Sequence, residues 1–153
     1  MAETGGPTGG NTFKSHEGWN PVIQYTSGYK YQLHQNAVFM LPAEFAGAFF
    51  DSGHIALMEC KLLIRAGYAW DGASGPTWDS KNSMQGSLVH DALYQAIRLG
   101  LLPRALKKES DDLLQSICIS DGMSRIRAGL WHRAVQKFGL SSTIKNKNIL
   151  VAP

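Results

Sequence analysis

Residues 67–94 read GYAWDGASGPTWDSKNSMQGSLVHDALY, and the chain changes character inside this stretch. Residues 67–82 hold four Gly/Pro, two Trp and two Asp, too broken a pattern for a regular element. A structureless segment of that length is uncommon in a compact domain and is usually functional or disordered. Its Trp and Tyr content argues against disorder and predicts a loop folded down onto the protein. From Ser83 the pattern becomes helical. Leu88, Val89, Ala92, Leu93, Ala96 and Ile97 recur at 3.6-residue spacing, Ser83 can cap the start, and Gly100 marks the stop near Leu99.

Upstream of that switch, residues 22–66 read as strands. Tyr29, Tyr31 and Leu33 alternate with Lys30 and Gln32, the period-2 mark of a half-buried strand. Residues 37–40, 55–58 and 61–65 are short apolar runs, with Gly28, Pro42 and Asp51-Ser52-Gly53 as turn signals. Downstream, a second helix is expected from Pro103 or Arg104 to Ser120, with Leu106, Leu113, Leu114 and Ile117 facing inward. A third is expected from Ser124 to Phe138, burying Ile126, Leu130, Trp131, Val135 and Phe138 before Gly139 stops it. The fold class is therefore α+β: a small N-terminal antiparallel sheet or meander, a long ordered loop, then three helices beginning with an antiparallel hairpin. Residues 1–20 read as a flexible Gly-rich arm, 21–140 as a single domain and 141–153 as a tail, polar and then apolar.

With 153 residues the chain is long enough to bury a core without staples. No apolar run approaches the roughly 18 residues of a membrane span, so none is expected. The N-terminus lacks a basic segment followed by an apolar one, so no secretory signal is expected. Cys60 and Cys118 have neither disulfide-framework nor metal-site spacing and read as two buried thiols in a reducing compartment. Charge is uneven. Residues 1–103 carry six Lys/Arg against eight Asp/Glu, and residues 104–153 carry nine against four. The basic excess is dispersed, as on a solvated helical face, and nucleic acid is not expected as a partner.

The chemistry-bearing residues gather around His90-Asp91-x-x-Tyr94. His90 and Tyr94, four apart, stack on one helical face at the edge of the apolar stripe, while Asp91 points about a quarter-turn away. The short 100–103 connection makes the second helix an antiparallel neighbour, which brings Asp111 level with His90. A carboxylate there can take the ring N–H, fix the tautomer and support His90 as a general base. Asp71, Asp91 and loop carbonyls near Gly72 form an oxygen donor set, which suits calcium or magnesium rather than zinc. The same residues also read as a purely structural network, with Asp71-Gly72 an Asx-type turn and Trp70 and Trp78 loop anchors. His16, His34, His54 and His132 show no ligand spacing.

Over about 45 residues this order and spacing resembles the small prokaryotic phospholipases A2. The resemblance implies His90 as the base, Asp111 as its partner, Tyr94 as a supporting donor, and Asp71, Asp91 and Gly72 as a calcium site. Val89 and Leu93 stand where that family has cysteines, and no lipid-binding apolar rim shows in the sequence. A wider resemblance spans most of the chain. Gly67, Trp70-Asp71-Gly72, Ser74, Pro76, His90, Asp91, Tyr94 and Asp111 are similar to the pattern of the DUF1353 family, small proteins of phages and prophages with no assigned function.

Together these resemblances imply a phage-associated protein with a His-Asp, metal-assisted, hydrolase-like site acting on an ester such as a phospholipid. The alternative is a structural virion component of tail, baseplate or head, in which the same residues only hold the fold. The partners implied are other phage structural proteins, or further copies joined through the terminal arms, in host cytoplasm or assembled virion. A third reading, a nucleic-acid or host-factor binder, rests on the basic C-terminal third alone.

Overall fold

A computed structural model describes residues 31–73, 79–140 and 143, and the backbone of 25–26. The arm at 1–20, most of the tail at 141–153, and Tyr29, Ser74, Pro76 and Trp78 lie outside the described residues. The architecture is α+β, with two small antiparallel sheets in the N-terminal half and three helices after them.

The first sheet has the order β1-β2-β7, with β1 at Tyr25–Thr26, β2 at Tyr31–Leu33 and β7 at Ala69–Trp70. The second has the order β3-β6-β5-β4, from β3 (Ala37–Met40), β4 (Phe50–Asp51), β5 (Ile55–Met58) and β6 (Lys61–Ile64). Here the period-2 pattern does its work. Phe39 pairs with Leu62, Leu62 with Leu57 and Leu57 with Phe50, so one row of large apolar side chains crosses the sheet and is buried throughout. A one-residue slip would turn that row to solvent.

The β5–β6 turn is Glu59-Cys60, both at positive φ (49° and 64°). This is the backbone that a two-residue hairpin prefers, built here without the Asn or Gly that usually supplies it. It leaves Cys60 half-buried, whereas Cys118 is fully buried. The expectation of two buried thiols therefore holds for Cys118 only.

Residues 67–82 are not wholly irregular. Ala69–Trp70 pairs with β2, with Trp70 opposite Tyr31, and a 3-10 turn at Lys81–Ser83 precedes the first helix. Pairing with β2 satisfies backbone groups that a free loop would leave to water.

Helix α1 (Met84–Arg98) begins at Ser83, and α2 (Lys107–Ser120) follows a 3-10 turn at Arg104–Leu106. The two pack as a hairpin. Gly86 sets their separation: a Cβ there would lie 2.5 Å from Cys118 Sγ. Helix α3 (Arg125–Phe138) is capped by Ser124, whose side chain accepts from Arg127 N. Trp131 packs with Leu114, Cys118, Met123 and Ala128 between α2 and α3.

Three of the five residues expected in the α3 core are not there. Ile126, Leu130 and Phe138 are 80%, 58% and 67% exposed, and Val135 is half-buried. The small residues Ala128 and Ala134, with Trp131, take the inward positions instead. The helix rolls until its narrow side meets α2.

Candidate functional site

Six polar residues of α1, at 87, 90, 91, 94, 95 and 98, recur at the spacing of one helical stripe. That stripe forms one wall of a cleft of about 410 Å³, within the size range of small-molecule sites. Tyr68, Trp70, Asp71 and Gly72 form the second wall, and Trp131, Val135 and Phe138 of α3 the third. Trp70 is fixed by its indole N–H, which donates to Ser87 Oγ at 3.1 Å. It is a loop anchor, as one of the two sequence readings held.

At the centre of the polar network that holds His90 is Asp111, whose side chain is 1% exposed. Its Oδ1 accepts from His90 Nε2 at 2.9 Å and from the Tyr94 hydroxyl at 2.6 Å, and its Oδ2 accepts from Lys107 Nζ at 2.7 Å. The His90 and Tyr94 rings stack with centroids 3.9 Å apart, as their four-residue spacing requires. Lys107 also donates to the Val135 carbonyl at 3.3 Å, tying the cluster to α3.

The charge states follow from this wiring. Burial favours a neutral Asp111, but the hydrogen bonds from His90, Lys107 and Tyr94 outweigh it and hold the carboxyl below its ordinary range. Burial drives the His90 pKa down, against the opposing pull of Asp111 and with a small push from Lys107. Near pH 7 the group is therefore an anionic Asp111, ion-paired with Lys107, and a neutral His90. An anionic acceptor on Nε2 places the ring's single proton there and leaves the lone pair on Nδ1. Nδ1 lies on the Asp91 side, 4.0 Å from Asp91 Oδ1, and both residues line the cleft. Tyr94, its pKa raised by burial and by Asp111, stays a hydroxyl donor.

Asp71 and Asp91 both line the cleft and both act on Tyr68. Burial and then the charges of Asp91 and Asp71 raise the Tyr68 pKa, against a lowering by Arg98. Gly72 sits at φ +80°, where a Cβ would fall 2.6 Å from the Tyr31 ring and 2.7 Å from an Asp79 carboxylate oxygen. Asp79 holds the loop there, accepting from the Tyr31 hydroxyl at 2.6 Å and from Ala73 N at 2.6 Å.

The structure thus brings His90, Tyr94 and Asp111 into direct contact and places Asp71, Asp91 and Gly72 along the same cleft. It does not gather three His, Cys, Asp or Glu side chains into a metal-sized group among the described residues. Calcium takes six to eight oxygen ligands, so two carboxylates leave most of the shell to carbonyls and water.

Lys107 was missed at the sequence level, although Lys107-x-x-x-Asp111 is the i,i+4 ion-pair spacing. So was the place of α3 in the cleft wall: Trp131, Val135 and Phe138 were read as core, not as cleft lining. No family model, curated protein or solved structure matches the chain.

Proposed function

We propose that the cleft is a hydrolytic site in which His90 serves as general base toward an ester, in a protein of phage origin. The observation that carries this reading is the division of labour between the two nitrogens of His90. Nε2 is spent on a buried carboxylate whose charge Lys107 balances, and Nδ1 keeps the lone pair, 4.0 Å from the Oδ1 of Asp91, a residue that lines the cleft with His90. In that role Nδ1 takes a proton from a water, the resulting hydroxide attacks the ester carbonyl, and the imidazolium returns the proton to the leaving alkoxide. Asp111 positions the ring and stabilises the imidazolium, and Tyr94 holds the carboxylate in place. The phage setting and the calcium requirement rest on sequence resemblance. Asp71 and Asp91 would hold a divalent cation, which would supply positive charge beside the substrate.

The second reading is a structural virion component, favoured by one observation. The bond from Lys107 to the Val135 carbonyl makes the same cluster a three-helix clamp. One experiment separates the two. Short-chain phospholipids and neutral esters are offered to wild type and to His90→Gln, with calcium or with chelator. The hydrolytic reading expects turnover that falls about 100-fold or more in the variant while the protein stays folded. Wild type inert toward every ester in both conditions, with a variant that only melts earlier, would overturn it in favour of the clamp.

A further inference from the structure

The outward side of α3 carries a pattern that the cleft chemistry does not use. Ile126, Leu130, Arg133 and Lys137 fall within about 60° of one another around the helix. Ile126 and Leu130 are 80% and 58% exposed, and Leu140, just past the helix, is 50% exposed. Helix α3 holds four cationic residues and no carboxylate. Arg127 turns inward to Ser80 Oγ and Asn82 Oδ1, while Arg125, Arg133 and Lys137 stay exposed. Lys137 Nζ lies 5.3 Å over the Phe138 ring, so cation and aromatic share one edge. Phe138 also lines the cleft, which makes this edge continuous with the cleft wall.

We propose that this face of α3 docks on an anionic phospholipid surface, with Ile126 and Leu130 entering the interface, Phe138 at its cleft edge, and Arg133 and Lys137 meeting headgroup phosphates. Exposed apolar side chains set among cations are what an interfacial helix presents to such a surface. Charge decides against the nearest alternative occupant. A second copy would set this carboxylate-free helix against its own cations. Nucleic acid would be served by the arginines and the lysine but gives the isoleucine, leucine and phenylalanine nothing to bury against.

This inference stands apart from the cleft chemistry, and the His90→Gln protein is expected to dock as wild type does. The test is sedimentation of the full chain with vesicles of pure phosphatidylcholine and of phosphatidylcholine with 30% phosphatidylglycerol, at low and high salt. Binding to the anionic vesicles is expected to be at least about tenfold tighter than to the neutral ones. The Ile126→Gln/Leu130→Gln and Arg133→Glu/Lys137→Glu proteins are each expected to lose about tenfold or more. All four positions are exposed, and unchanged far-UV dichroism checks that the fold is intact. Equal binding to both vesicle types, or none, overturns the proposal. So does a double-Gln protein that binds vesicles like wild type, or duplex DNA bound tightly with no effect of the Gln pair. A wild-type dimer that the Gln pair dissociates would assign the face to self-association, and overturn it too.

Discussion

Asp111 and Asp112 are neighbours on α2 and carry the same dressing. Each accepts from a lysine four residues earlier, Lys107 at 2.7 Å and Lys108 at 2.6 Å. Each also meets the Nε2 of a histidine on another helix, His90 of α1 at 2.9 Å and His132 of α3 at 2.7 Å. On contacts alone the two triples are the same object. Their surroundings differ: the Asp111 side chain is 1% exposed and that of Asp112 42%, while Lys107 is 13% and Lys108 70%. Two unit charges about 4 Å apart interact by about 1 kcal/mol in water and about 4 kcal/mol in a partly buried setting. The same burial exacts a desolvation penalty that must be matched by complete pairing. So the outer triple is a surface ornament on the helices, and the inner one is the point on which the cluster depends.

The largest test of that contrast removes each aspartate in turn. Asp111→Ala strands a buried lysine and leaves His90 Nε2 and the Tyr94 hydroxyl without their acceptor. A loss of about 3–5 kcal/mol in denaturant-derived stability is expected. Asp112→Ala is expected to stay within about 0.5 kcal/mol. Similar losses at the two sites would mean that burial is not what distinguishes them.

Removing the lysines comes next. Lys107→Met leaves the Asp111 carboxylate buried with only neutral donors, and about 2–3 kcal/mol should be lost at pH 7.5. Lys108→Met should be indistinguishable from wild type. The inner variant also carries a pH signature. In wild type both His90 and Asp111 bind protons more weakly than in the unfolded chain, so their contribution is lost as pH falls from about 6.5 downward. Without Lys107, one of the influences lowering the His90 pKa is gone, and an imidazolium can pair with Asp111. The deficit of Lys107→Met should therefore shrink between pH 7.5 and pH 5.5. A deficit that is constant, or grows toward acid, contradicts the assigned charge states.

These contrasts also show what the sequence could disclose. The His90–Tyr94 stack and its level with Asp111 follow from helical spacing and a short hairpin connection, and both were legible. The Lys107 and Lys108 pairs have identical spacing, so no pattern along the chain says which faces inward. That depends on how α2 rolls against α1, and Gly86 and Cys118 set the roll. The same ambiguity misplaced the face of α3. Ile126, Leu130 and Phe138 are the more apolar choice for a core, but the close packing of α2 admits Ala128 and Ala134 instead. The β5–β6 turn was missed because Glu59-Cys60 carries no turn residue to announce it. The 69–70 strand was missed because two residues are too few to show a period.

A third carboxylate on the same helix extends the comparison, with the smallest effect and the opposite sign. Asp121 caps the C-terminal end of α2, where the helix dipole disfavours negative charge. Its Oδ2 is buried and meets no hydrogen-bond donor among the described residues. Burial pushes its pKa up to about 6 from an ordinary 3.8. The folded state thus holds this proton more tightly than the unfolded one. The contribution is fully present below about pH 3.8 and is lost as pH rises through about 6. Asp121→Asn keeps the shape and removes the charge, so it should stabilise the protein at pH 7.5 by about 1 kcal/mol, allowing for partial exposure. At pH 4 the gain should vanish, because the aspartate is then neutral as well. A gain that persists at pH 4 would trace to the amide's own hydrogen bonds, and a loss at pH 7.5 would mean that Asp121 is paired after all. On one helix, then, a buried and fully paired carboxylate stabilises, an exposed and paired one is neutral, and a half-buried one without a partner costs stability. Partner and dielectric together set the sign.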